Sequence, residues 1–421
     1  MLLYNLKHPE QEVSFAQAVR LGLGRDKGLF FPKLPEPMAD IPSLLKLPFV
    51  ERSTRILHHL IGDEIPFDTL QGMVARAFDF SVPLAPVTEN TFALELYHGP
   101  TLAFKDFGAR FMAECLQHFY PEQPVTILTA TSGDTGAAVA HAFWNKPGVE
   151  VVVLYPGGRI SRAQEHLFCT LGGNIRTYAV AGDFDSCQAL VRHAFSEPEL
   201  VSRIHLNSAN SINVSRLFAQ ICYYFEALAQ LPSGCESPVI AVPSGNFGNL
   251  TAALLAKALG LPVKRLVAAT NSNDTVPRYL DGQGWEVRST QATLSCSMDV
   301  SDPNNWPRVE ALFALKGWSW DELGYGRVDE QQTREAVKTL RDSGYLAEPH
   351  GAVAWRVLQD ELKPGETGVF LATAHPAKFA TEVAEITGVA PKLPAALESA
   401  LREPLLSKPL AADFEALLAE L

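Results

Sequence analysis

The sequence predicts an α/β fold built on parallel sheets. Three times along the chain, a run of apolar residues is followed by a short polar loop and then by a helical pattern. These runs begin at Val125, Val239 and Thr367. Strands that alternate with helices in this order are typical of parallel sheets, because each helix returns the chain to the start of the next strand.

The first part of the chain, up to about residue 80, has the pattern of a small, mainly helical region. Its glycine-rich stretch 22–28 places the third glycine one position too late for a dinucleotide fingerprint, and 29–32 follows it instead of a helix. We therefore interpret this stretch as a turn that leads into an extended arm. The proline-rich stretch 32–42 is interpreted as a connector on the surface.

The alternation of strands and helices begins near residue 92. The predicted strands are 91–96, 125–130, 149–155, 174–181, 239–242, 266–269 and 367–371. The predicted helices are 107–119, 137–144, one opened by a capping box at Ser161, one near 185–195, 215–230, 250–259 and 377–386. We expect a smaller α/β subdomain at about 110–215 and an irregular insertion, rich in Trp and acidic residues, at about 285–350.

Composition excludes several classes of protein. With 421 residues, 47% of them hydrophobic, the chain has the make-up of a soluble globular protein of two or three subdomains. A net charge of -12 argues against binding to nucleic acid or to a membrane surface. The six cysteines form no CxxC pair, the histidines form no metal motif, and the N-terminus has no signal-peptide pattern. We expect a cytoplasmic protein without a metal, and a monomer rather than a dimer.

Lys105 is the candidate catalytic residue. It lies in the stretch 97–108, just before an amphipathic helix. The positive end of the helix dipole and apolar neighbours such as Phe104 both disfavour an ammonium ion, so the lysine pKa is predicted to fall. A lysine of this kind can be a free amine that forms an imine with a carbonyl. The alternative is a surface lysine that caps a turn.

A second polar loop, 244–249, has the features of a phosphate cradle. It follows a predicted strand and opens a helix, and it has the sequence Ser-Gly-Asn-Phe-Gly-Asn. Glycines let backbone N–H groups approach an anion, and the helix dipole favours its negative charge. An ordinary glycine-rich turn between a strand and a helix is the alternative.

Three more loops lie where a ligand of an open α/β sheet would bind. The loop 131–136 offers hydroxyl and N–H groups to a carboxylate, and the alternative is a helix start with Asp134 or Thr135 as the local cap. A threonine in the loop 373–376 could bond a ring nitrogen, or the loop could be a simple turn. The loop 207–216 is rich in Asn and Ser and ends in Arg216, so it could hold a second phosphate or merely satisfy its own backbone. Taken together, the lysine and the loops fit a bound pyridoxal phosphate.

These motifs together resemble those of the threonine synthases, which are pyridoxal-phosphate enzymes of the tryptophan-synthase-β fold type. The matching stretches are 28–30, 98–108, 130–136, 244–249, 270–278 and 373–379. The resemblance implies fold type II, with two open, mainly parallel sheets and helices on both faces. It also implies an N-terminal family region at 1–85 and a cofactor-dependent catalytic region at 86–421.

The resemblance also implies roles for individual residues. Lys105 would hold pyridoxal 5'-phosphate covalently through its amine, and Thr373 would meet the pyridine nitrogen. The residues expected to bind the cofactor phosphate are Gly245, Asn246, Phe247, Gly248 and Asn249. The residues expected near the amino-acid end of the substrate are Ser132, Asp134 and Thr135. Independently of the family, we place Asn213 and Arg216 on the substrate phosphate as a hypothesis.

The implied reaction converts O-phospho-L-homoserine and water to L-threonine and phosphate, the last step of threonine biosynthesis. Lys105 would remove the α-proton and move protons between carbons. Phosphate would leave from the γ-carbon, and water would add at the β-carbon. One alternative is a serine or threonine dehydratase of the same fold type, which needs no second phosphate site. The other is a regulatory relative that binds the cofactor without turnover.

Overall fold

Short strands and helices alternate along the whole chain. The structure is a computed structural model that describes residues 1–121, 124–235 and 237–421. The strands of this part of the chain are β1 (Leu2–Asn5), β2 (Glu12–Ser14), β3 (Phe30–Pro32), β4 (Leu84–Pro86), β5 (Thr91–Glu95), β6 (Val125–Ala130), β7 (Val149–Pro156), β8 (Ile175–Val180), β9 (Leu206–Asn207), β10 (Val239–Pro243), β11 (Arg265–Thr270), β12 (Leu323–Arg327), β13 (Gly368–Ala372) and β14 (Lys408–Leu410).

Helices connect most of these strands. The α-helices are α1 (Phe15–Leu21), α2 (Ile41–Leu45), α3 (Phe49–Ile61), α4 (Phe67–Ala77), α5 (Lys105–Phe119), α6 (Asp134–Phe143), α7 (Arg162–Cys169), α8 (Phe184–Ser196), α9 (Pro198–Arg203), α10 (Val214–Gln230), α11 (Gly248–Ala258), α12 (Thr275–Arg278), α13 (Trp306–Lys316), α14 (Glu330–Asp342), α15 (Pro349–Glu361), α16 (Ala380–Thr387), α17 (Ala395–Ala400) and α18 (Phe414–Leu418). The capping box predicted at Ser161 opens α7.

The larger sheet has six strands in the order β12-β11-β10-β13-β5-β4. All neighbouring strands in it are parallel except β4 and β5. Helices cover both faces: Val239 and Ala241 of β10 pack in the same cluster as Val353 of α15, whereas Ile240 and Val242 pack in the cluster that contains α11. Burial on both faces explains why β10 and β13 are continuous apolar runs.

The second sheet has five parallel strands in the order β14-β8-β7-β6-β9. Two open, mainly parallel sheets with helices on their faces confirm the predicted fold class. The edge strand β14 comes from residues 408–410, so this sheet includes chain from outside the predicted subdomain at 110–215. Strand β14 has only three residues and pairs with β8, more than 200 residues earlier in the chain. Its own sequence therefore has no strand pattern.

The N-terminal region contains helices α1 to α4, as expected, and also a small antiparallel sheet in the order β2-β1-β3. Strand β3 corresponds to the predicted extended arm. Its residues Phe30 and Phe31 are fully buried and join the main hydrophobic core.

The prediction of an irregular insertion at 285–350 is wrong for its second half. Strand β12 is the edge strand of the larger sheet and pairs in parallel with β11, and α13 and α14 flank it. Two glycines weakened the strand signal, and each of them lies close to a neighbour: a Cβ on Gly324 would lie 2.7 Å from Glu361, and one on Gly326 would lie 2.7 Å from Val357. Glycine is needed there because α15 crosses the sheet closely.

The parallel strands β5, β10 and β13 all end at the same edge of the larger sheet. The loop that carries Lys105 follows β5, the loop 244–247 follows β10, and the loop 373–375 follows β13. In an open sheet, the carboxyl ends of strands form the ligand crevice. The topology therefore brings three of the predicted loops to one place.

Candidate active site

Lys105 is the first residue of α5, and its loop is tied to the loop after β13 by backbone hydrogen bonds. The N–H of Phe104 donates to the Thr373 carbonyl (2.9 Å), and the N–H of His375 donates to the Leu102 carbonyl (3.0 Å). Leu102 adopts a left-handed conformation (φ 58°) that turns the chain into the helix. These bonds hold the loop of Lys105 beside Thr373.

The surroundings of Lys105 lower its pKa. Burial is the largest cause, and the nearby cations Lys378 and Arg216 act in the same direction. Asp134 partly opposes them. A lysine whose charged form is disfavoured in this way can act more readily as a nucleophile or as a base.

The loop before α11 presents a row of free backbone N–H groups. In the described part of the protein, the N–H groups of residues 245–249 donate to no protein acceptor. Phe247 is left-handed (φ 59°) at the N-cap of α11, which turns the loop around this row. Five N–H groups at a helix N-terminus form a cradle for an anion such as a phosphate.

The side chains of this loop maintain its shape. Asn246 Nδ2 donates to Ser211 Oγ (2.6 Å), and Asn246 Oδ1 accepts from the N–H of Asn304 (2.6 Å). Asn249 Nδ2 donates to the Pro243 carbonyl (2.8 Å). The anion site is therefore made by the backbone, with the two asparagines as its supports.

The loop between β6 and α6 is shaped by Thr131. Its hydroxyl accepts hydrogen bonds from the N–H groups of Gly133 (2.9 Å) and Gly136 (2.8 Å). The hydroxyls of Ser132 and Thr135 make no hydrogen bond within the described residues and stay available to a ligand. The alternative stated from the sequence was that Asp134 or Thr135 caps this helix. In the structure, the hydroxyl of Thr131 caps it instead.

Asp134 is a buried carboxylate at the start of α6. Its Oδ1 pairs with Lys378 Nζ (2.6 Å) and accepts from Gln164 (3.2 Å), and its Oδ2 accepts from Ser297 Oγ (3.3 Å). Burial alone would raise the pKa of Asp134, but Lys378 and Lys105 outweigh it and hold the pKa well below its usual range. Asp134 is therefore a carboxylate that faces the two lysines.

The sequence reasoning missed Lys378, although it lies in the matching stretch 373–379. Lys378 is fully buried, and its ammonium also donates to the Thr101 carbonyl (2.8 Å). It therefore joins the loop of Lys105 to Asp134. Its partners Asp134 and Thr101 are more than 240 positions away in the chain. Because the sequence shows no partner nearby, Lys378 looks like a surface lysine.

Asn213, which we hypothesised to contact a substrate phosphate, serves the backbone in this structure. Asn213 is fully buried and caps α10: its Oδ1 accepts from the N–H and hydroxyl of Ser215, and its Nδ2 donates to the Val19 carbonyl (2.8 Å). A polar loop whose asparagine satisfies the backbone was the alternative that the sequence left open. Asn213 thus orients the first turn of α10, which carries Arg216.

Arg216 is buried beside α5, and burial lowers its pKa to about 10. One guanidinium nitrogen donates to the Ala209 carbonyl, but Nε is buried and has no partner in the described residues. A Cβ on Gly108, one turn along α5 from Lys105, would lie 3.1 Å from Arg216 Cβ, and the charge of Arg216 lowers the pKa of Lys105. An arginine with an unused donor next to the reactive lysine can bind an anion.

These groups fit pyridoxal phosphate. The N–H cradle suits its phosphate, and the amine of Lys105 suits its aldehyde. The Thr373 hydroxyl makes no hydrogen bond to a described residue and suits the ring nitrogen. The cofactor and the fold indicate which known proteins the chain resembles.

Three family descriptions match the sequence: "Pyridoxal-phosphate dependent enzyme" over 85–374, "Threonine synthase N terminus" over 6–78 and "Threonine synthase, C-terminal" over 351–419. The threonine synthase of Haemophilus influenzae is 59% identical over 422 residues, which cover 100% of this chain and 99% of that protein. The chain belongs to the threonine synthase family. It is a pyridoxal-phosphate-dependent enzyme, as the sequence motifs predicted.

Solved structures of the threonine synthase family share the whole fold. The structure of threonine synthase from Escherichia coli has a TM-score of 0.95 at 59% identity and covers 100% of this chain and 99% of that chain. The PLP-bound threonine synthase from Brucella melitensis has a TM-score of 0.94 at 31% identity and covers 100% and 98%. The family's arrangement of N-terminal region and catalytic region therefore extends over the full length of this chain.

Among the described residues, no helix combines the length and the apolar character needed to cross a bilayer. In the same residues, no group of three or more His, Cys, Asp or Glu side chains is placed to hold a metal ion.

Proposed function

We propose that this site converts O-phospho-L-homoserine and water to L-threonine and phosphate. The observation that carries the proposal is the pairing of a buried lysine of lowered pKa with a row of free N–H groups at a helix N-terminus. Lys105 would hold the cofactor, residues 245–249 would bind its phosphate, and Thr373 would bond its ring nitrogen. When bound, pyridoxal phosphate supplies an electron sink for negative charge that develops on the substrate carbons.

Lys105 is the group that moves protons in this proposal. Its Nζ accepts the α-proton and returns protons to other carbons of the substrate. The γ C–O bond of the substrate breaks and releases phosphate, and the oxygen of water forms a new bond to the β-carbon. Ser132, Asp134 and Thr135 would hold the amino-acid end of the substrate. The ion pair of Asp134 with Lys378 fixes the carboxylate beside Lys105.

The first experiment measures threonine and phosphate released from O-phospho-L-homoserine by the wild type and by Lys105→Ala. We expect equal amounts of both products from the wild type. In Lys105→Ala we expect no turnover and no absorption band of lysine-bound cofactor, because the neighbouring amine of Lys378 is held by Asp134 and the Thr101 carbonyl. The matched control is Lys338→Ala, which removes an exposed lysine of α14 and should leave activity unchanged.

Other outcomes of this assay identify the alternatives. Release of a ketoacid from threonine or serine without a need for phosphate would indicate a dehydratase. A bound cofactor with no product from either substrate would indicate a regulatory relative. Full activity in Lys105→Ala would overturn the assignment of the lysine.

We propose that Arg216 binds the phosphate of the substrate. The support is its buried, unpaired Nε and its position beside Lys105. A charged hydrogen bond contributes about 1.5–3 kcal/mol, so Arg216→Ala should weaken the affinity for phosphohomoserine by about 10- to 150-fold. Inhibition by inorganic phosphate should weaken in parallel, while affinity for the cofactor should change little. Unchanged substrate affinity would refute this role.

We also propose that the enzyme acts as a cytoplasmic monomer on a small-molecule substrate. The support for the compartment is its thiols: all six cysteines are free, and four of them are buried, as expected in a reducing environment. Light scattering of the purified holoenzyme tests the monomer, and a mass of twice 45.9 kDa would contradict it.

A further inference from the structure

A single turn of chain, Cys296–Met298, lies against two of the loops that form the site. A Cβ on Gly245 would lie 2.7 Å from Met298 Cα and 3.1 Å from its carbonyl oxygen, so the turn touches the N–H cradle. On its other side, Ser297 Oγ donates to Asp134 Oδ2 (3.3 Å). The position of this turn therefore affects both the cradle and the carboxylate that faces Lys105.

The turn is held from behind by His350, the second residue of α15. The N–H of Ser297 donates to His350 Nε2 at 3.1 Å. A backbone N–H can only donate, so Nε2 must be the unprotonated nitrogen of the ring, and the ring proton is on Nδ1. The hydrogen bond thus defines the tautomer of His350.

Glu348 stabilises the same tautomer. His350 Nδ1 donates to Glu348 Oε2 (2.5 Å), and the carboxylate also accepts from the N–H groups of His350 (2.6 Å) and Gly351 (2.9 Å). Both side chains are almost completely buried. With its carboxylate oxygens held by the start of α15, Glu348 fixes the imidazole in one orientation, as carboxylates do for histidines in metal sites.

The other end of the turn is anchored separately. Asp299 accepts hydrogen bonds from the side chains of Asn271 (2.9 Å) and Thr293 (2.7 Å) and from the N–H of Thr293 (3.0 Å). His350 is therefore the partner that aligns the Ser297 end, the end that bears on Asp134.

We propose that His350, oriented by Glu348, is a positioning residue that holds the Cys296–Met298 turn against the cofactor cradle and keeps the Ser297 hydroxyl on Asp134. The inference rests on the proposed function only in taking this pocket as the cofactor site. Among the described residues, no hydrogen bond joins His350 to the cradle or to Lys105. It acts through the backbone of Ser297.

Two polar substitutions of His350 distinguish the role of Nε2 from the role of Nδ1. Gln at position 350 places an acceptor near the position of Nε2 and can still accept from the Ser297 N–H. Asn is shorter, so it can donate to Glu348 in place of Nδ1 but cannot reach Ser297. Both are uncharged amides of similar polarity, and because Asn is one methylene shorter, peptides from elsewhere in the protein are needed to report a general loss of packing.

The first readout is hydrogen exchange, measured by mass spectrometry on the holoenzyme, for a peptide that spans 294–300. We expect His350→Asn to increase the exchange rate of this peptide about tenfold, because the Ser297 N–H loses its acceptor. His350→Gln should stay close to the wild type. Peptides from β7 and β8, which lie in the other sheet, serve as the internal control and should not change in either variant.

The second readout is cofactor affinity, with turnover measured alongside. His350→Asn should weaken pyridoxal-phosphate binding about tenfold and lower kcat/KM by a similar factor, and His350→Gln should restore both. Exchange at 294–300 that is unchanged in His350→Asn, or a His350→Gln variant as impaired as His350→Asn, would overturn the inference. If threonine is not the product but the exchange contrast persists, the proposed function fails while this positioning role stands.

Discussion

Gly245, in the N–H cradle, lies very close to the backbone of the Cys296–Met298 turn. An added Cβ at 2.7 Å from Met298 Cα would meet backbone, which cannot rotate away. We therefore expect Gly245→Ala to push the Cys296–Met298 turn off the cradle and to lower the affinity for pyridoxal phosphate about tenfold or more, because even one strained or lost backbone contact costs about 1.5 kcal/mol. Cofactor titration, followed by absorbance, measures this.

The control for Gly245→Ala is Gly72→Ala, on the outer side of α4. A Cβ there would meet only the end of the Arg76 side chain, at 3.4 Å. In a helix, alanine is preferred over glycine by about 1 kcal/mol, so this variant should bind the cofactor normally and be slightly more stable. Equal cofactor affinity in both variants would show that the close approach at Gly245 has no functional consequence.

At the residue scale, the sequence indicates which side chains lie in loops near the site, but not how they pair. Lys105, Asp134 and Thr373 are recognisable because each sits at a junction of strand or loop with helix. Lys378 and His350 are not, because their partners Asp134 and Ser297 lie far away in the chain. Asn213 has a role that the sequence did not assign to it, because its side chain caps the next helix.

Among the elements, α6 depends on a single buried hydroxyl for its start. Thr131 accepts from the N–H groups of Gly133 and Gly136 and is itself 1% exposed. Thr131→Val keeps the shape of the side chain but leaves two buried donors without an acceptor. Each buried unsatisfied group costs about 1–3 kcal/mol of stability. We therefore expect the free energy of unfolding, measured by denaturant titration, to fall by about 2 kcal/mol or more.

Thr131→Ser is the matched variant for this helix start. It retains the hydroxyl and removes only the methyl group, which lies close to Gly136. Deletion of one buried methyl group should cost only about 1 kcal/mol. If Thr131→Ser destabilises the protein as much as Thr131→Val, then packing of the methyl group, rather than the hydroxyl, maintains the start of α6.

Elements with a clear local sequence pattern could be predicted. Elements that form only by pairing with strands far away in the chain could not. Strands β6, β7, β10 and β13 are apolar runs that are buried in the sheets. Strand β12 contains two glycines in five residues, and β14 has three residues of which two are exposed, so neither looks like a strand locally. Their strand geometry comes from pairing with β11 and β8.

Over the whole molecule, three distant parts of the chain meet at one buried arginine. Arg308, on α13, is fully buried and donates to the carbonyls of Phe30 (2.8 Å) and Ile212 (2.7 Å) and to Asn305 Oδ1 (2.8 Å). It thus joins the N-terminal strand β3, the loop before α10 and α13 itself. Burial lowers the pKa of Arg308 to about 9, and these three oxygens offset part of the cost of burying its guanidinium.

Removal of Arg308 should therefore destabilise the whole fold. Arg308→Met fills most of the same space but leaves the carbonyls of Phe30 and Ile212 buried without donors, so we expect the free energy of unfolding to fall by about 3 kcal/mol. Asn305 also donates to the Asn246 carbonyl, so the cofactor cradle should bind pyridoxal phosphate more weakly as well.

Arg334→Met, at an exposed position of α14, is the control and should change stability by less than about 0.5 kcal/mol. Unfolding midpoints that coincide for the two variants would mean that the N-terminal region and the catalytic region are held together by apolar packing alone.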